Sequence, residues 1–504
     1  MKIKTEVLII GGGATGAGIS RDLSLRGIPS VLVEKGDFAS GASGRNHGLL
    51  HSGGRYAVSD PEAAKECIAE NKILRKIAPH CIEETEGLFV SLPDEGPPFQ
   101  DRFLRACEAA GIPTTLCSRD ETLAWEPELH PHLRSAVKVP DGAIDPFKLI
   151  LENAKDAESR GAKFFLHTEV ASLRIEGNRI RGAEAKDLAT GEEYSIDAAF
   201  VINATGAWVN QVLKLAGLHL GMALSKGSLV ITNRRLTHRV INHCRPPSDG
   251  DIVVPNETVS ILGTTSVRLQ EIENFQVTPQ EVSVIVRETS KMIPAIQEAR
   301  LIRAYAGIRP LFQSEEKGND RAISRGFALI DHGKRDRIEN LITITGGKLM
   351  TYRLMSEKTS DLISEKLGGK VPCSTHLNPL PGASSLTSPK ERLKQFLTGS
   401  EEILCDCELV QRKEVEAFLN EGKFKDLQDI LHRTRLAKGT CQGGFCVYRL
   451  LGVLHHLGRA GEDSNKALKG FLEERWKGIR PVLWGGALKE EELIESIYKG
   501  IFNL

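Results

Sequence analysis

The 504-residue sequence has few aromatic residues and no long apolar run. Phenylalanine, tryptophan and tyrosine make up 5% of the chain, and no window approaches the ~18 consecutive apolar residues of a transmembrane helix. The apolar run near the N-terminus, residues 7–10, stops at glycines after four residues and is too short for a signal peptide. These absences predict a cytoplasmic chain in a reducing compartment.

The sequence also lacks an excess of either charge, because 66 Lys and Arg balance 66 Asp and Glu. This balance argues against a general nucleic-acid-binding or polybasic membrane surface, although a local basic pocket stays possible. Ten cysteines are too few for a disulfide scaffold. With 40% apolar residues the chain can bury a large core, and its length predicts about three structural units.

The predicted elements alternate at first and then change character. Strand 7–10, a glycine turn, helix 14–26 and strand Ser30–Val33 begin the chain, and 61–78 predicts a helix. Runs between 163 and 201 predict a strand meander.

The second half of the chain divides at a proline-rich stretch. Residues 225–330 are strand-rich with one helix near 278–292, and a helix follows Leu349. Residues 371–390 read as part of a linker, and the region beyond 400 is helical and carries cysteines.

A glycine-rich turn after the first strand indicates dinucleotide binding. Gly11, Gly13 and Gly16 fit G-x-G-x-x-G, allowing a tight turn, close approach of a pyrophosphate and close helix–strand packing. Glu34 ends the second strand, where an acid can accept from ribose hydroxyls. The motif alone does not separate FAD from NAD. The small-residue loop 38–48 and the later turns 204–206 and 345–348 favour FAD, because a buried flavin needs several such contacts along its length.

Several blocks resemble the FAD-dependent glycerol-3-phosphate dehydrogenases, within the D-amino-acid-oxidase-like superfamily, and most closely the large catalytic subunits of the anaerobic enzymes. The similar blocks are 11–16, 44–56, 307–311, 346–353 and, near the C-terminus, 474–478. Leu229 stands where the aerobic enzymes have His, so a base at that position is not available here.

The resemblance implies an α/β and α+β fold with a Rossmann-type FAD-binding domain interleaved with an antiparallel-sheet substrate domain. We expect an oxidoreductase body at 1–370, a linker at 371–398, a small helical iron–sulfur domain at 399–455 and a helical extension at 456–504. Within the body, FAD binding is expected at about 1–75, 145–220 and 325–370, and the substrate domain at about 76–144 and 221–324.

The resemblance also implies a set of site residues. The substrate residues are expected to be Arg55, Tyr56, Arg309, Arg325 and Lys348, with His51, Arg55 and Arg309 taking part in catalysis. An Arg fork suits a phosphate, and His51 could be a base, a residue packed on the flavin or a core histidine. The motif and the resemblance together predict these cofactor contacts: Gly11, Gly13, Ala14, Thr15, Gly16, Glu34, Ser43, Arg45, Asn46, His47, Gly48, Val170, Ala204, Thr205, Gly206, Gly347, Lys348, Leu349, Met350 and Thr351.

Four of the ten cysteines have the spacing of a metal centre. Cys405 and Cys407 form one pair, and Cys441 and Cys446 form another. Two close thiolate pairs can bind a soft metal centre, whereas zinc usually takes C-x₂₋₄-C pairs. The arrangement resembles the bacterioferritin-associated-ferredoxin-like domain and favours a 2Fe–2S cluster, with zinc or no metal as alternatives. Cys67 lies on a predicted helix and is interpreted as a buried hydrophobe.

Together these features predict oxidation of sn-glycerol 3-phosphate to dihydroxyacetone phosphate by hydride transfer to FAD, with electrons leaving through the 2Fe–2S cluster. The resemblance implies two partner subunits, one flavin-bearing and one iron–sulfur and membrane-anchoring, with quinone as final acceptor and a peripheral position on the inner face of the cell membrane. The alternatives are a flavin dehydrogenase of a 2-hydroxy acid or amine, and a non-catalytic redox or iron-sensing protein.

Overall fold

The computed structural model describes residues 1–93, 98–273, 275–312, 326–369, 371–383, 389–399, 402–422, 424–461 and 464–502. Its strands form two large sheets, with two small sheets beside them. Within these residues no helix has both the length and the hydrophobicity needed to cross a membrane.

The first sheet has a parallel centre, because the chain returns to it through helices. Its path runs through Thr168–Glu176, Arg179–Asp187, Glu193–Asn203, Lys2–Ile10, Ser30–Val33 and Lys163–Phe165, with Leu341–Gly346 beside Glu193–Asn203 and Phe327–Asp331 at its edge. Strand Lys2–Ile10 pairs in parallel with both of its neighbours. The predicted meander is present, since Thr168–Glu176, Arg179–Asp187 and Glu193–Asn203 are antiparallel.

The second sheet draws on two separate stretches of the chain. Its path runs through Val267–Arg268, Met222–Thr232, Val259–Gly263, Ile252–Asn256, Val240–His243, Gly87–Ser91, Ser135–Val139 and Thr115–Ser118, with Leu301–Phe312 paired to Met222–Thr232. The pair Val240–His243 and Gly87–Ser91 is parallel, so the sheet is not wholly antiparallel as predicted. The small sheets join Leu49–Leu50, Gly142–Ile144 and Ile82–Glu83, and Ile403–Cys405 and Val410–Gln411.

Helices cover the sheets and build the C-terminal part of the chain. The α-helices are Ala14–Leu25, Gly54–Ala57, Pro61–Ile77, Pro98–Ala109, Arg119–Trp125, Pro146–Ser159, Val209–Lys214, Pro279–Met292, His332–Arg335, Tyr352–Lys366, Pro389–Thr398, Arg412–Glu421, Leu427–Thr434, Cys446–His456, Ser464–Ile479 and Gly486–Phe502. Short 3₁₀ turns are Ala42–Gly44, Pro79–Cys81, Gly206–Trp208, Pro294–Gln297, Leu349–Thr351 and Arg480–Val482. The mixed α/β fold class predicted from the sequence is confirmed. The expected linker contains helix Pro389–Thr398, which the proline-rich composition before it did not suggest.

Side-chain caps explain where several helices start. Asp60 accepts from the amide of Ala63, and Asp145 accepts from the amides of Phe147 and Lys148. Both helices then begin with proline, which suits the first turn because its missing N–H would be unpaired there. Separate hydrophobic cores lie on the two faces of the first sheet, on the second sheet and in the C-terminal unit (residues 402–502).

Candidate functional site

One cavity of about 1460 Å³ is lined by residues from both large sheets. Its volume suits a ligand larger than a mononucleotide. The structure brings most of the predicted site residues to this cavity. Those that line it are Gly11, Gly13, Ala14, Thr15, Glu34, Ser43, Arg45, Asn46, His47, His51, Arg55, Tyr56, Val170, Ala204, Thr205, Gly206, Arg309, Gly347, Lys348, Leu349 and Met350.

Three predicted cofactor contacts lie behind the cavity wall instead. A Cβ on Gly16 would overlap the Gly11 carbonyl, so Gly16 serves close helix–strand packing. Gly48 has φ +65°, and Thr351 Oγ1 accepts from the amide of Lys348 at 3.0 Å. These three residues support the backbone that carries the lining residues. Arg325 falls outside the described residues.

The glycine turn and Glu34 form one end of the cavity. Gly11 has φ +114°, a conformation that favours glycine, and a Cβ added at this position would overlap the Ala204 backbone. The Glu34 carboxylate accepts from the amides of Gly12 at 2.6 Å and Gly36 at 2.8 Å, and burial raises its pKa. With the N-terminus of helix Ala14–Leu25 beside it, this end fits the adenosine diphosphate half of FAD.

The loop after Glu34 is held from behind by the second sheet. The Tyr305 hydroxyl donates to the Asn46 carbonyl at 2.8 Å, and the Asn46 amide group donates to the Ser43 carbonyl at 2.7 Å. A side chain on Gly307 would overlap the Arg45 carbonyl. Strand Leu301–Phe312 therefore packs directly on the loop and fixes its backbone along the cavity.

Arg309 marks the opposite, basic end of the cavity. Its guanidinium donates to the Thr265 carbonyl from both terminal nitrogens at 3.1 Å, and to Thr264 Oγ1 at 2.6 Å. The same group lies against Gly227, where a Cβ would overlap it. Arg309 thus sits on a glycine of strand Met222–Thr232 and is oriented by two threonines.

Two further cations share this end. Arg55 donates to Asp251 Oδ2 at 3.1 Å and to the Ser248 carbonyl at 3.2 Å. The Lys348 ammonium lies 5.0 Å from the centre of the Tyr56 ring. Cationic side chains on three separate elements at one end of a cavity suit an anionic ligand such as a phosphate.

Two histidines lie beside these basic residues. His47 and His51 are in edge contact with ring centres 5.8 Å apart, and His51 lies 5.4 Å from the Tyr56 ring. Burial and the nearby Arg309 and Arg55 lower the pKa of His47 to about 3, so this imidazole is neutral at physiological pH. Leu229 is buried and does not line the cavity, so nothing at that position offers a base.

A second site is formed by the four spaced cysteines. The Cys405 thiol lies close enough to those of Cys407 and Cys446 to interact with them, and the Cys441 thiol interacts with the same two, so the four sulfurs form a ring. All ten cysteines are free thiols. The interactions among the thiols lower the pKa of Cys407 and raise that of Cys446. The set of four converging soft donors fits an iron–sulfur cluster or another thiophilic metal centre.

The remaining cysteines are separate from this ring. Cys67 is fully buried on helix Pro61–Ile77, and burial raises its pKa to about 12, as a hydrophobic role predicts. Burial also raises the pKa of Cys107 to about 12.

The C-terminal unit docks beside the loop that follows Glu34. Asp37 forms a forked ion pair with Arg433 at 2.6 and 2.7 Å, and His432 stacks on Phe147 with ring centres 4.7 Å apart. Phe147 packs against Gly44 of the cavity loop, and the Lys438 ammonium lies 4.5 Å from the centre of the Phe147 ring. Lys438 precedes Cys441 closely in the sequence, so the segment that leads to this thiol contacts Phe147 beside the cavity loop.

Sequence reasoning missed the residues that orient the basic end and the thiol loop. Asp251, Thr264 and Thr265 act on arginines far away in sequence, so no local spacing could reveal them. Arg475 donates to the carbonyl of Gln442 at 3.1 Å. Its place in one of the family-like blocks was the only sequence feature that could have indicated this role.

Comparisons with known proteins agree with this geometry. A family model described as FAD dependent oxidoreductase matches residues 6–350. The chain is 43% identical over 526 residues to an anaerobic glycerol-3-phosphate dehydrogenase subunit of Escherichia coli K12, covering 99% of this chain and 97% of that protein. It is 40% identical to the corresponding subunit of the anaerobic enzyme from Haloferax volcanii, covering 100% and 91%. The fold is similar to that of the Bacillus halodurans glycerol-3-phosphate dehydrogenase complexed with FAD, with a TM-score of 0.67 at 22% identity and 96% of each chain covered.

Proposed function

The chain belongs to the FAD-dependent oxidoreductases, in a family of anaerobic glycerol-3-phosphate dehydrogenase subunits, and we propose that it oxidises sn-glycerol 3-phosphate to dihydroxyacetone phosphate. We further propose that the electrons leave through a 2Fe–2S cluster and partner subunits to quinone. One observation carries the substrate proposal: Arg55, Arg309 and Lys348 converge at one end of a cavity whose other end is a dinucleotide-binding turn.

FAD, when bound, supplies the acceptor for the hydride that leaves the secondary carbinol carbon of the substrate. Arg309 and Arg55 hold the phosphate, each already oriented by hydrogen bonds, so little ordering remains to be done on binding. His51 takes the hydroxyl proton, directly or through a water molecule. His47 stays neutral beside it because of burial and the two arginines.

The thiol ring is proposed to hold the cluster. Cys405, Cys407, Cys441 and Cys446 are its ligands, and the bound cluster supplies a one-electron carrier. The contact of Phe147 with Gly44 and His432 brings the C-terminal unit beside the cavity loop, which supports an internal electron path. The relatives are named as subunits, which supports partner chains for this protein as well. These partners, one flavin-bearing and one iron–sulfur, would anchor it to the inner face of the cell membrane.

The experiment is a visible spectrum of the anaerobically purified protein before and after adding glycerol 3-phosphate. We expect flavin and iron–sulfur absorption, both bleached by the substrate. Flavin bands alone would refute the cluster. Cys407→Ser should lose iron while keeping FAD, and Cys117→Ser, a buried thiol outside the ring, is the matched control.

A substrate panel with an artificial electron acceptor separates the remaining alternatives. Glycerol 3-phosphate should be oxidised in preference to 2-hydroxy acids and amines. The three cations Arg55, Arg309 and Lys348 match the double negative charge of a phosphate better than they match the single charge of a carboxylate. Preference for either other class would overturn the substrate. An Arg309→Ala variant that keeps FAD and iron but loses turnover would exclude a purely non-catalytic redox protein.

A further inference from the structure

A buried carboxylate lies behind the basic end of the cavity without lining it. Glu281 is 8% exposed and belongs to the first turn of helix Pro279–Met292. We propose that Glu281, acting through Thr265, is a positioning residue that holds Arg309 in the orientation that binds the substrate phosphate. The inference rests on the proposed function of Arg309 and adds two residues to it.

Glu281 receives five hydrogen bonds, divided between its two oxygens. Oε2 accepts from Lys226 Nζ at 2.8 Å and from the amide and hydroxyl of Thr278 at 3.0 and 3.1 Å. Oε1 accepts from Ser228 Oγ at 2.8 Å and from Thr265 Oγ1 at 3.1 Å. The first oxygen therefore completes the helix cap and an ion pair, while the second reaches toward the site.

Thr265 connects this carboxylate to the arginine. Its hydroxyl also accepts from the amide of Ser228 at 3.0 Å, so the side chain is held from two directions. Its carbonyl accepts from both terminal nitrogens of Arg309 at 3.1 Å. The contacts from Glu281 to Thr265 and from Thr265 to Arg309 are therefore continuous.

The charge state supports this arrangement. Burial alone would raise the pKa of Glu281, but hydrogen bonds from Lys226, Thr278 and Ser228 hold it below its ordinary value. The carboxylate stays ionised and can accept from all its donors at once. A buried, fully satisfied polar group of this kind is rigid, which keeps the Arg309 guanidinium fixed at the cavity wall before the substrate arrives.

Helix capping by itself does not need the second oxygen. The capping box uses only Thr278 and Oε2, and a purely structural Glu281 could leave Oε1 to water or a single hydroxyl. Thr265 can therefore be changed without touching the cap. This separates a role in folding from a role in orienting Arg309.

The test compares Thr265→Val, which removes the hydroxyl and its bonds to Glu281 and to the Ser228 amide, with Thr265→Ser, which keeps both bonds. In dye-coupled assays Thr265→Val should raise the KM for glycerol 3-phosphate about tenfold, the size of one lost hydrogen bond to a charged group, with a smaller change in kcat. Inorganic phosphate should become a weaker competitive inhibitor by a similar factor. Thr265→Ser should restore both values, and its FAD content and Tm should match those of the wild type.

Ser228→Ala provides a second, independent variant, because it removes the other donor to Oε1 and should also raise the KM. An unchanged KM and phosphate inhibition in both variants would overturn the inference while leaving the proposed function intact. A wild-type protein that does not oxidise glycerol 3-phosphate would instead overturn the proposed function.

Discussion

At the scale of single residues, the basic end of the cavity depends on a missing side chain. A Cβ on Gly227 would occupy the space of the Arg309 guanidinium. Gly227→Ala should therefore displace Arg309 and lower kcat/KM for glycerol 3-phosphate about 100-fold, the loss expected for a misplaced charged hydrogen-bonding group. Steady-state assays with measured FAD content check this. Gly452→Ala, where no atom lies within 4 Å of the added Cβ, should keep full activity.

His47 makes stability depend on pH. Its pKa is about 3 in the folded protein and near 6.5 when unfolded, so only the unfolded chain binds a proton between these values. Its contribution to the free energy of unfolding is complete above pH ~6.5 and falls as the pH drops, by about 2 kcal/mol at pH ~5. Between about pH 8 and pH 5 the free energy of unfolding of His47→Gln, measured by denaturation, should fall by about 2 kcal/mol less than that of the wild type. The exposed His456→Gln should behave like the wild type, and an equal fall in all three proteins would contradict the prediction.

The residues that could be predicted from the sequence are those tied to a local motif or a family-like block. Gly11, Glu34 and Arg309 belong to this group, and all three line the cavity. Asp251 and Glu281 could not be predicted, because each acts on a partner that only the second sheet brings near. Sequence spacing reports neighbours along the chain, whereas these contacts depend on strand pairing.

At the scale of elements, the C-terminal helices hold the loop between two of the thiols. Arg475 on helix Ser464–Ile479 donates to the carbonyl of Gln442, and its ion pair with Glu491 at 2.6 and 2.8 Å links helix Gly486–Phe502 to it. The Tyr498 hydroxyl donates to the carbonyl of Gly444 at 3.0 Å. The extension predicted at 456–504 is thus in direct contact with the proposed cluster loop.

Arg475→Leu should therefore weaken the thiol site without touching the cavity. The substitution removes the hydrogen bond from the buried guanidinium to the loop and leaves Glu491 without its ion-pair partner, which lowers the free energy of unfolding by about 3–5 kcal/mol. We expect iron content to fall by half or more while FAD content is unchanged, as measured by metal analysis and flavin absorbance. Arg480→Leu, at an exposed arginine directly after the same helix, is the control. Full iron loading of Arg475→Leu would contradict the prediction.

Element types were easier to predict than element pairing. The glycine turn and the short apolar runs predicted strands at 7–10 and Ser30–Val33; the structure has both, with the first extending over Lys2–Ile10. The parallel pairing of Gly87–Ser91 with Val240–His243 was missed, because nothing in either strand marks a partner about 150 residues away.

At the scale of the whole molecule, the zero net charge conceals two concentrations of charge. One is the cationic end of the cavity, and the other is the contact between the C-terminal unit and the body. There Asp37 pairs with Arg433, and Arg435, which Glu408 of the same unit holds at 2.9 Å, pairs with Asp145 of the body at 2.8 Å. Opposite charges placed on the two surfaces cancel in the total, so composition could not show that the units dock through ion pairs.

The buried pair of Asp37 and Arg433 gives the sharpest test of this docking. Burial alone would raise the pKa of Asp37, but hydrogen bonds from His432 and Arg433 lower it to about 2. Arg433→Leu leaves a buried carboxylate without its main partner, which costs about 3–5 kcal/mol, whereas Asp37→Asn combined with Arg433→Leu removes both charges. Amide exchange in helix Leu427–Thr434 should rise about 100-fold or more in Arg433→Leu and return to within about tenfold of the wild type in the double variant.

The control for this cycle is a pair of similar chemistry at the surface. Arg449 and Asp406 are 2.7 Å apart, but the Asp406 side chain is 69% exposed, so Arg449→Leu should change exchange in Leu427–Thr434 less than about fivefold. Equal exchange in wild type and Arg433→Leu would show that the docking does not depend on this pair. The double variant and Arg433→Leu could instead lose protection equally. The arginine would then act by packing on Phe418, whose ring centre lies 5.7 Å from the guanidinium, rather than by neutralising Asp37.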